Sequence, residues 1–423
     1  MKFMKFGKAL LMSTLSVALV LSISSCIESY SVGFLYVTGT VTAQSSGNGI
    51  ITGFKIDHNT GKLNTINGLP VSSGGANPVR AVLLNGSRFL YVLNRGVTAS
   101  GGADCTTADP CTGSNITVFA VGGNGILTQQ EQFFTQGVNP FRIIADTSGS
   151  YIYVLDHDAP DSSAYTGLTP TLANPNSCMD ELGNSTLSCG DITAFTVNQT
   201  TGRLSLLLNA QQTAFGGAPL TFFPVPANPV DFAEPPGYFI TLSASPSATQ
   251  SYPYTGGTSV FPYTFTNGTG QLSINQNTAQ PLGIQQGTAL AVGGNFLYVL
   301  DNEPIYLNGS TTAASQSQIL PFSVGANGAL GSQTGGAVPD DPSQSNPITL
   351  LVESKNKWLY VANQGVYSST GVTSNGITGY VINPTTSQLS EMAGLPFTTG
   401  SYPQCLVEDP SDQFVYTANY YDS

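Results

Sequence analysis

A six-residue run that appears seven times constrains this chain more than any other feature. Phe89-Leu-Tyr-Val-Leu-Asn94 is apolar, β-branched and aromatic, and ends on a polar residue. Its copies are Phe34-Leu-Tyr-Val-Thr-Gly39, Tyr151-Ile-Tyr-Val-Leu-Asp156, Tyr238-Phe-Ile-Thr-Leu-Ser243, Phe296-Leu-Tyr-Val-Leu-Asp301, Trp358-Leu-Tyr-Val-Ala-Asn363 and Phe414-Val-Tyr-Thr-Ala-Asn419. From Tyr36 through Tyr91, Tyr153, Ile240, Tyr298 and Tyr360 to Tyr416 the steps are 55, 62, 87, 58, 62 and 56 residues. A β unit with a near-constant period of this size is the mark of a repeat architecture.

Each unit predicts four strands. In the second, Pro78-Val-Arg-Ala-Val-Leu-Leu84 is strand one and Phe89–Asn94 is strand two. Ser114-Asn-Ile-Thr-Val-Phe-Ala-Val121 is strand three, and strand four opens at Ile126. Tight Gly-containing turns between alternating runs are hairpin signals. Strand three recurs as Ile50–Ile56, Asp191–Val197, Gln318–Val324 and Gly376–Ile382. The turn after it recurs as Asn59-Thr-Gly-Lys-Leu63, Thr200-Thr-Gly-Arg-Leu204, Gly268-Thr-Gly-Gln-Leu272, Ala326-Asn-Gly-Ala-Leu330 and Thr385-Thr-Ser-Gln-Leu389. Four antiparallel strands per unit, repeated radially, predict an all-β, toroidal β-propeller.

These motifs (strand two ending Tyr-Val-x-Asn, then Gly-x-Ile-x-x-Phe-x-Ile and Thr-Gly-x-Leu) resemble the seven-bladed propeller lactonases and the wider Tyr-Val-Thr-Asn repeat propellers. The resemblance spans about residues 32–423. It implies four-stranded antiparallel blades and, for activity, hydrolysis of a sugar lactone of the 6-phosphogluconolactonase kind. Propeller lactonases open one inner strand on Gly-Pro-Arg-His. Here the openings read Asn-Pro-Val-Arg80, Asn-Pro-Phe-Arg142 and Asn-Pro-Val-Asp231. The resemblance therefore carries the fold further than the activity. Seven copies of strand two against six of the others predict a last blade that stops after its second strand. The alternative is six closed blades, with Pro403–Pro410 completing the first.

Only 9% of residues are charged, and the net charge is −12. Such a surface disfavours nucleic acid. At the N-terminus Lys2, Lys5 and Lys8 precede an apolar stretch from Ala9 to Ile23, which ends at Ile23-Ser-Ser-Cys26. This reads as a secretory signal, too short for a membrane span. Ile-Ser-Ser-Cys resembles the bacterial lipobox, which implies lipidation of Cys26. The expected organisation is a signal peptide over 1–25, a short tether over 26–31 and a propeller over 32–423. Loss of three lysines and no acid takes the mature net charge from −12 to −15. The expected location is the cell envelope, on the periplasmic or surface side of the outer membrane, with membrane contact through the anchor alone.

Export permits disulfides. Cys105 with Cys111 and Cys178 with Cys189 are the expected pairs, each clipping a long loop, and Cys405 is left as a buried free thiol in an apolar strand. With two histidines and no Cys-x2-Cys pair, neither a metal nor another cofactor is expected.

The strand one-to-two and three-to-four turns are short. The strand two-to-three loops (95–113, 157–190, 244–256, 302–316 and 364–374) are long, as are the blade connections 209–228 and 332–346. Both long classes fall on one face, where binding to a small molecule, a carbohydrate or a protein is expected. His58 lies on the trimmed face. His157 stands in Asp156-His-Asp-Ala-Pro-Asp161 on the elaborated face, a candidate general base flanked by Asp156 and Asp158. Arg95 likewise follows Asn94 there. Strand one is innermost, so Arg80, Arg142, Asp231, Thr349 and Cys405, each two residues after a Pro, are expected at the channel mouth. Paired guanidinium groups there suit a carboxylate, a phosphate or a lactone carbonyl, or else pair with a nearby Asp such as Asp231 or Asp156. Asp301-Asn-Glu303 and Asp340-Asp341 are weaker candidates for a hard cation. Two functions follow: a binding or scaffold module acting through the long-loop face, or a lactone hydrolase using Arg80, Arg142 and His157.

Overall fold

The computed structural model describes residues 31–40, 47–84, 86, 88–101, 111–160, 189–212, 218–244, 257–274, 279–306, 312–333, 335–369 and 371–421. The expected signal segment, Cys26, Cys105 and Cys178 lie outside these residues.

Every strand-two run becomes a strand, and each lies in a different sheet. Blade two runs Pro78–Leu83, Phe89–Asn94, Asn115–Val121 and Leu127–Phe133, all antiparallel and in that order from the inside outward. Blades three to six repeat this order, with inner strands Val138–Ala145, Pro229–Ala233, Gly287–Gly293 and Pro347–Val352. Blade one contributes Ser31–Gly39, Asn48–Asp57 and Leu63–Thr65, which are second, third and fourth strands. Blade seven contributes Pro403–Glu408 and Val415–Asn419, a first and a second strand. Pro403–Glu408 pairs with Val415–Asn419 and not with Ser31–Gly39. This makes seven blades and excludes the arrangement of six closed ones.

One expectation needs correction. The blade connections are not loops throughout. Residues 209–228 contain the strand Phe223–Ala227, and 332–346 contain Val338–Pro339. Each pairs with the front half of its blade's third strand, while the short fourth strand pairs with the back half. Val71–Ala76 and Gln280–Pro281 do the same in blades one and four. The outer edge of these blades is thus one broken strand, and in blades one, three and five Gly or Pro at the break hides it from an alternation count.

The core lies between blades. One apolar cluster joins Ile51 of blade one to Leu90, Val92 and Phe119 of blade two. Others join blades two and three through Tyr91 and Ile152, three and four through Tyr153 and Phe239, and four and five through Leu242 and Leu297. Blades five and six meet at Tyr298 and Leu359, and blades six and seven at Ala362 and Leu406.

The repeated Tyr has a second task. Its hydroxyl donates to a turn carbonyl of the next blade: Tyr36 to Gly125, Tyr91 to Gly202 and Tyr153 to Gly270, each at 2.8 Å. The aromatic two residues earlier covers the same glycine. A Cβ on Gly202 would sit 2.5 Å from the Phe89 ring, and Gly202 has φ +74°. Strand two and the Thr-Gly-x-Leu turn therefore form a lock between neighbours, which is why both motifs recur. Tyr416 makes the same bond to Gly61 of blade one at 2.8 Å, and the ring closes there.

Candidate functional site

The inner strands carry the site. Each opens on a bulge, so that the register skips one residue: between Pro78 and Arg80, Pro229 and Asp231, Gly287 and Ala289, Pro347 and Thr349, and Pro403 and Cys405. In blade three the same skip places Arg142 opposite Leu155 and Pro140 opposite Asp156. The residue before the opening is left-handed: Asn77, Asn139, Asn228 and Asn346 have φ of +54°, +59°, +52° and +51°. Asn tolerates that conformation better than most side chains. Turn and bulge together set Arg80, Arg142, Asp231, Thr349 and Cys405 at equivalent positions of their inner strands.

Arg142 and Asp231 form an ion pair across blades three and four, Nε to Oδ1 at 3.1 Å, with side chains 15% and 12% exposed. Backbone N–H groups of Phe232 and Leu290, both at 2.9 Å, donate to the same carboxylate. Burial raises the Asp231 pKa, and Arg142 and these donors pull it back. Among the described residues Arg80 has Cys405 as its side-chain partner and no Asp. Its guanidinium donates to the Cys405 Sγ at 3.6 Å, bridging blades two and seven. Cys405 is a free thiol, half-buried rather than enclosed; burial raises its pKa, and the Arg142 charge lowers it. A cavity of about 300 Å³ beside this contact is lined by Arg80, Gln404, Cys405, Tyr36 and Thr417, and not by Arg142 or His157.

His157 has partners of its own. Its Nδ1 lies 3.3 Å from Asp158 Oδ2, its side chain is 36% exposed, and its ring is 6.4 Å from that of Phe141. Of the three candidate catalytic residues, the cavity beside Cys405 takes in Arg80 alone. Arg95 leads into the long-loop face, its N–H donating to Asn77 O at 2.9 Å.

Below His157 is a feature the sequence reading missed. Asp156 lies directly opposite Asp191, and both are fully buried. Thr193 Oγ1 is 3.2 Å from Asp156 Oδ2 and 3.3 Å from Asp191 Oδ2. Burial pushes both carboxyls well above the usual range, and the Asp156 charge raises Asp191 further. In blade two the same positions hold Asn94 and Asn115, bonded at 2.9 Å, with Thr117 beside them. The pair in blade three thus takes the place of the amide pair of blade two. Aligning Asn115 with Asp191 in the repeat would have revealed it.

Asn139 ties this region to the disulfide-bearing loop of blade two. Its Oδ1 accepts from the Cys111 N–H at 2.8 Å, and its Nδ2 donates to Asp158 Oδ2 at 3.0 Å. Cys111 and Cys189 are disulfide-bonded. Among the described residues no group of His, Cys, Asp and Glu is arranged to hold a metal ion. At Asp301 and Glu303, burial is instead the first cause of pKa values of about 6 and about 7.

Residues 48–166 match the family described as lactonase, 7-bladed beta-propeller. The chain is a β-propeller, and this stretch of it resembles the lactonase propellers. No curated protein matches it. Among solved structures, the chain is similar to the periplasmic gluconolactonase of Pseudomonas aeruginosa, with 16% identity, 91% of this chain and 89% of that one covered, and a TM-score of 0.56. It is also similar to a protein of Bacteroides uniformis provisionally named a 6-phosphogluconolactonase, at 14% identity over 91% and 88% of the chains and a TM-score of 0.54. A protein of Lactobacillus plantarum aligns at 14% identity over 91% and 88%, with a TM-score of 0.51. At these identities the similarity speaks for the fold.

Proposed function

We propose that this lactonase-like propeller binds a sugar lactone at its channel mouth and hydrolyses it. The observation that carries the reading is the Arg142–Asp231 pair at 3.1 Å. Asp231, itself fixed by two backbone N–H groups, orients the guanidinium, which retains further N–H donors for a ligand oxygen. A preorganised cation aimed at a developing oxyanion is the strongest single aid to acyl transfer. Water adds to the lactone carbonyl carbon. The bond to the ring oxygen then breaks, that oxygen takes a proton, and a hydroxy acid leaves. Similarity to a gluconolactonase supports this class of substrate. The test is a panel of sugar 1,4- and 1,5-lactones followed by pH-stat titration. Turnover above the spontaneous rate supports the proposal, and no turnover on any lactone removes it.

A second reading is a binding module without catalysis. It is favoured by the engagement of both arginines with protein partners, Arg142 with Asp231 and Arg80 with Cys405. Calorimetric binding of gluconate with no lactone turnover would select it. In either case we propose envelope attachment through Cys26, supported by the lipobox-like Ile23-Ser-Ser-Cys26. Loss of the membrane-bound fraction in Cys26→Ser would confirm the anchor.

A further inference from the structure

The tyrosines of this protein divide into two populations. Tyr91, Tyr153 and Tyr298 are fully buried. On the long-loop face of blades six and seven, four others gather at the surface. Tyr367 is 57% exposed, Tyr420 57% and Tyr421 46%. Tyr367 stacks on Tyr421 with ring centres 4.6 Å apart and planes at 21°. Tyr420 stands edge-on to Tyr421 at 4.9 Å, and Tyr402 lies 5.3 Å from Tyr421 and 6.4 Å from Tyr420.

Three observations show that this cluster is built and not incidental. Tyr402 occupies the left-handed position that Asn77, Asn139, Asn228 and Asn346 occupy in four other blades, with φ +63°. A bulky residue there is strained, and such strain gathers at functional sites. Tyr367 is carried on a hairpin of its own, Val366–Ser368 paired with Gly371–Thr373, outside the blade sheet. The Tyr420 and Tyr421 N–H groups are fixed on the carbonyls of Tyr402 and Ser401 at 3.0 and 3.3 Å.

The chemistry of the patch selects its occupant. The described residues of the segments 364–373, 398–402 and 419–421 carry no charge and contribute Ser, Thr, Gln and Asn beside the tyrosines. The chain as a whole is strongly acidic. A charged polymer finds no counter-charge here, and a polyanion is repelled. Exposed aromatic faces with hydroxyl rims suit a ligand with apolar C–H faces and an edge of hydroxyl groups. We infer that the Tyr367–Tyr402–Tyr420–Tyr421 platform binds a neutral oligosaccharide chain, pyranose rings lying on the tyrosine faces. This inference is independent of lactone chemistry at the channel mouth.

The test uses the full chain with cellohexaose and chitohexaose as probes, and polygalacturonate as the anionic arm, read by calorimetry. At least one neutral hexaose should bind with Kd of about 1 mM or tighter, and polygalacturonate should not. Tyr421→Ala should weaken binding at least tenfold, and Tyr367→Phe less than threefold. Tyr402→Asn restores the residue the other blades use, so it should keep or raise the melting temperature while weakening binding. The inference is overturned if neither hexaose binds, if polygalacturonate binds better, or if Tyr421→Ala and Tyr402→Asn bind like the parent. It is equally overturned if the patch proves to be a self-association surface, seen as a dimer that Tyr421→Ala dissolves.

Discussion

Tyr416 and Gly61 lie 355 residues apart, yet the tyrosine hydroxyl donates to the glycine carbonyl at 2.8 Å. This is the same bond that joins Tyr36 to Gly125, Tyr91 to Gly202 and Tyr153 to Gly270. Local interblade contacts and ring closure therefore use one device.

The lock predicts a graded mutational series. Tyr91→Phe leaves a buried carbonyl without its donor and should cost about 1–2 kcal/mol in urea unfolding. Gly202→Ala should cost more, because φ is +74° and the added methyl meets Phe89. Tyr298 is the internal control. Its hydroxyl is buried without a hydrogen bond among the described residues, and blade six has Ser387 in place of the turn glycine. Tyr298→Phe should be neutral or stabilising. A loss at Tyr298 equal to that at Tyr91 would contradict the lock.

Stability should fall as pH rises from about 4 to about 7. Asp301 is raised to about 6, Glu303 and Glu234 to about 7, and Asp156 and Asp191 upward too, all with burial as the first cause. The folded state then holds more protons than the unfolded state across this interval, so unfolding becomes easier with pH. The contribution is fully present below the unfolded pKa values and is lost as pH passes the folded ones. Asp191→Asn copies the amide of blade two, and should flatten the profile and raise the melting temperature at pH 7.5. An unchanged slope would contradict the raised pKa of the buried pair.

Thiol chemistry should report one free cysteine in the mature domain. Cys405 is free, and Cys111 and Cys189 are bonded. With Cys105 paired to Cys111 and Cys178 to Cys189, as expected, denatured unreduced protein should take up one iodoacetamide at Cys405. Native labelling should be slow, because burial raises the thiol pKa and only the thiolate reacts.

The sequence carried the blade pattern clearly, since Phe-x-Tyr-Val and Thr-Gly-x-Leu are both ends of one interblade contact. It placed Arg80, Arg142, Asp231 and Cys405 at equivalent inner positions, and the shared bulge confirms that equivalence. It did not reveal partners, because these depend on which blades are neighbours in space. Arg142 meets Asp231 across an interface, and Arg80 meets Cys405 across the ring closure. The Asp156–Asp191 pair was hidden for a further reason. Cross-strand facing depends on register through a long loop, and composition says nothing about it.

Breaking the Arg142–Asp231 pair from either side should be unequal to removing it. Asp231→Asn or Arg142→Ala should each destabilise by about 3 kcal/mol or more, since a buried charge is left alone. Arg142→Lys keeps the charge and loses the planar fork. It should fold with a smaller loss.

The most direct test is therefore kcat/KM for glucono-1,5-lactone, by pH-stat and corrected for spontaneous opening, in the parent and in Arg142→Lys at a temperature where both are folded. The account predicts measurable turnover in the parent and a loss of at least tenfold in the variant, with little change in Tyr421→Ala. Parent turnover no faster than the spontaneous reaction, or an Arg142→Lys variant as active as the parent, would contradict it.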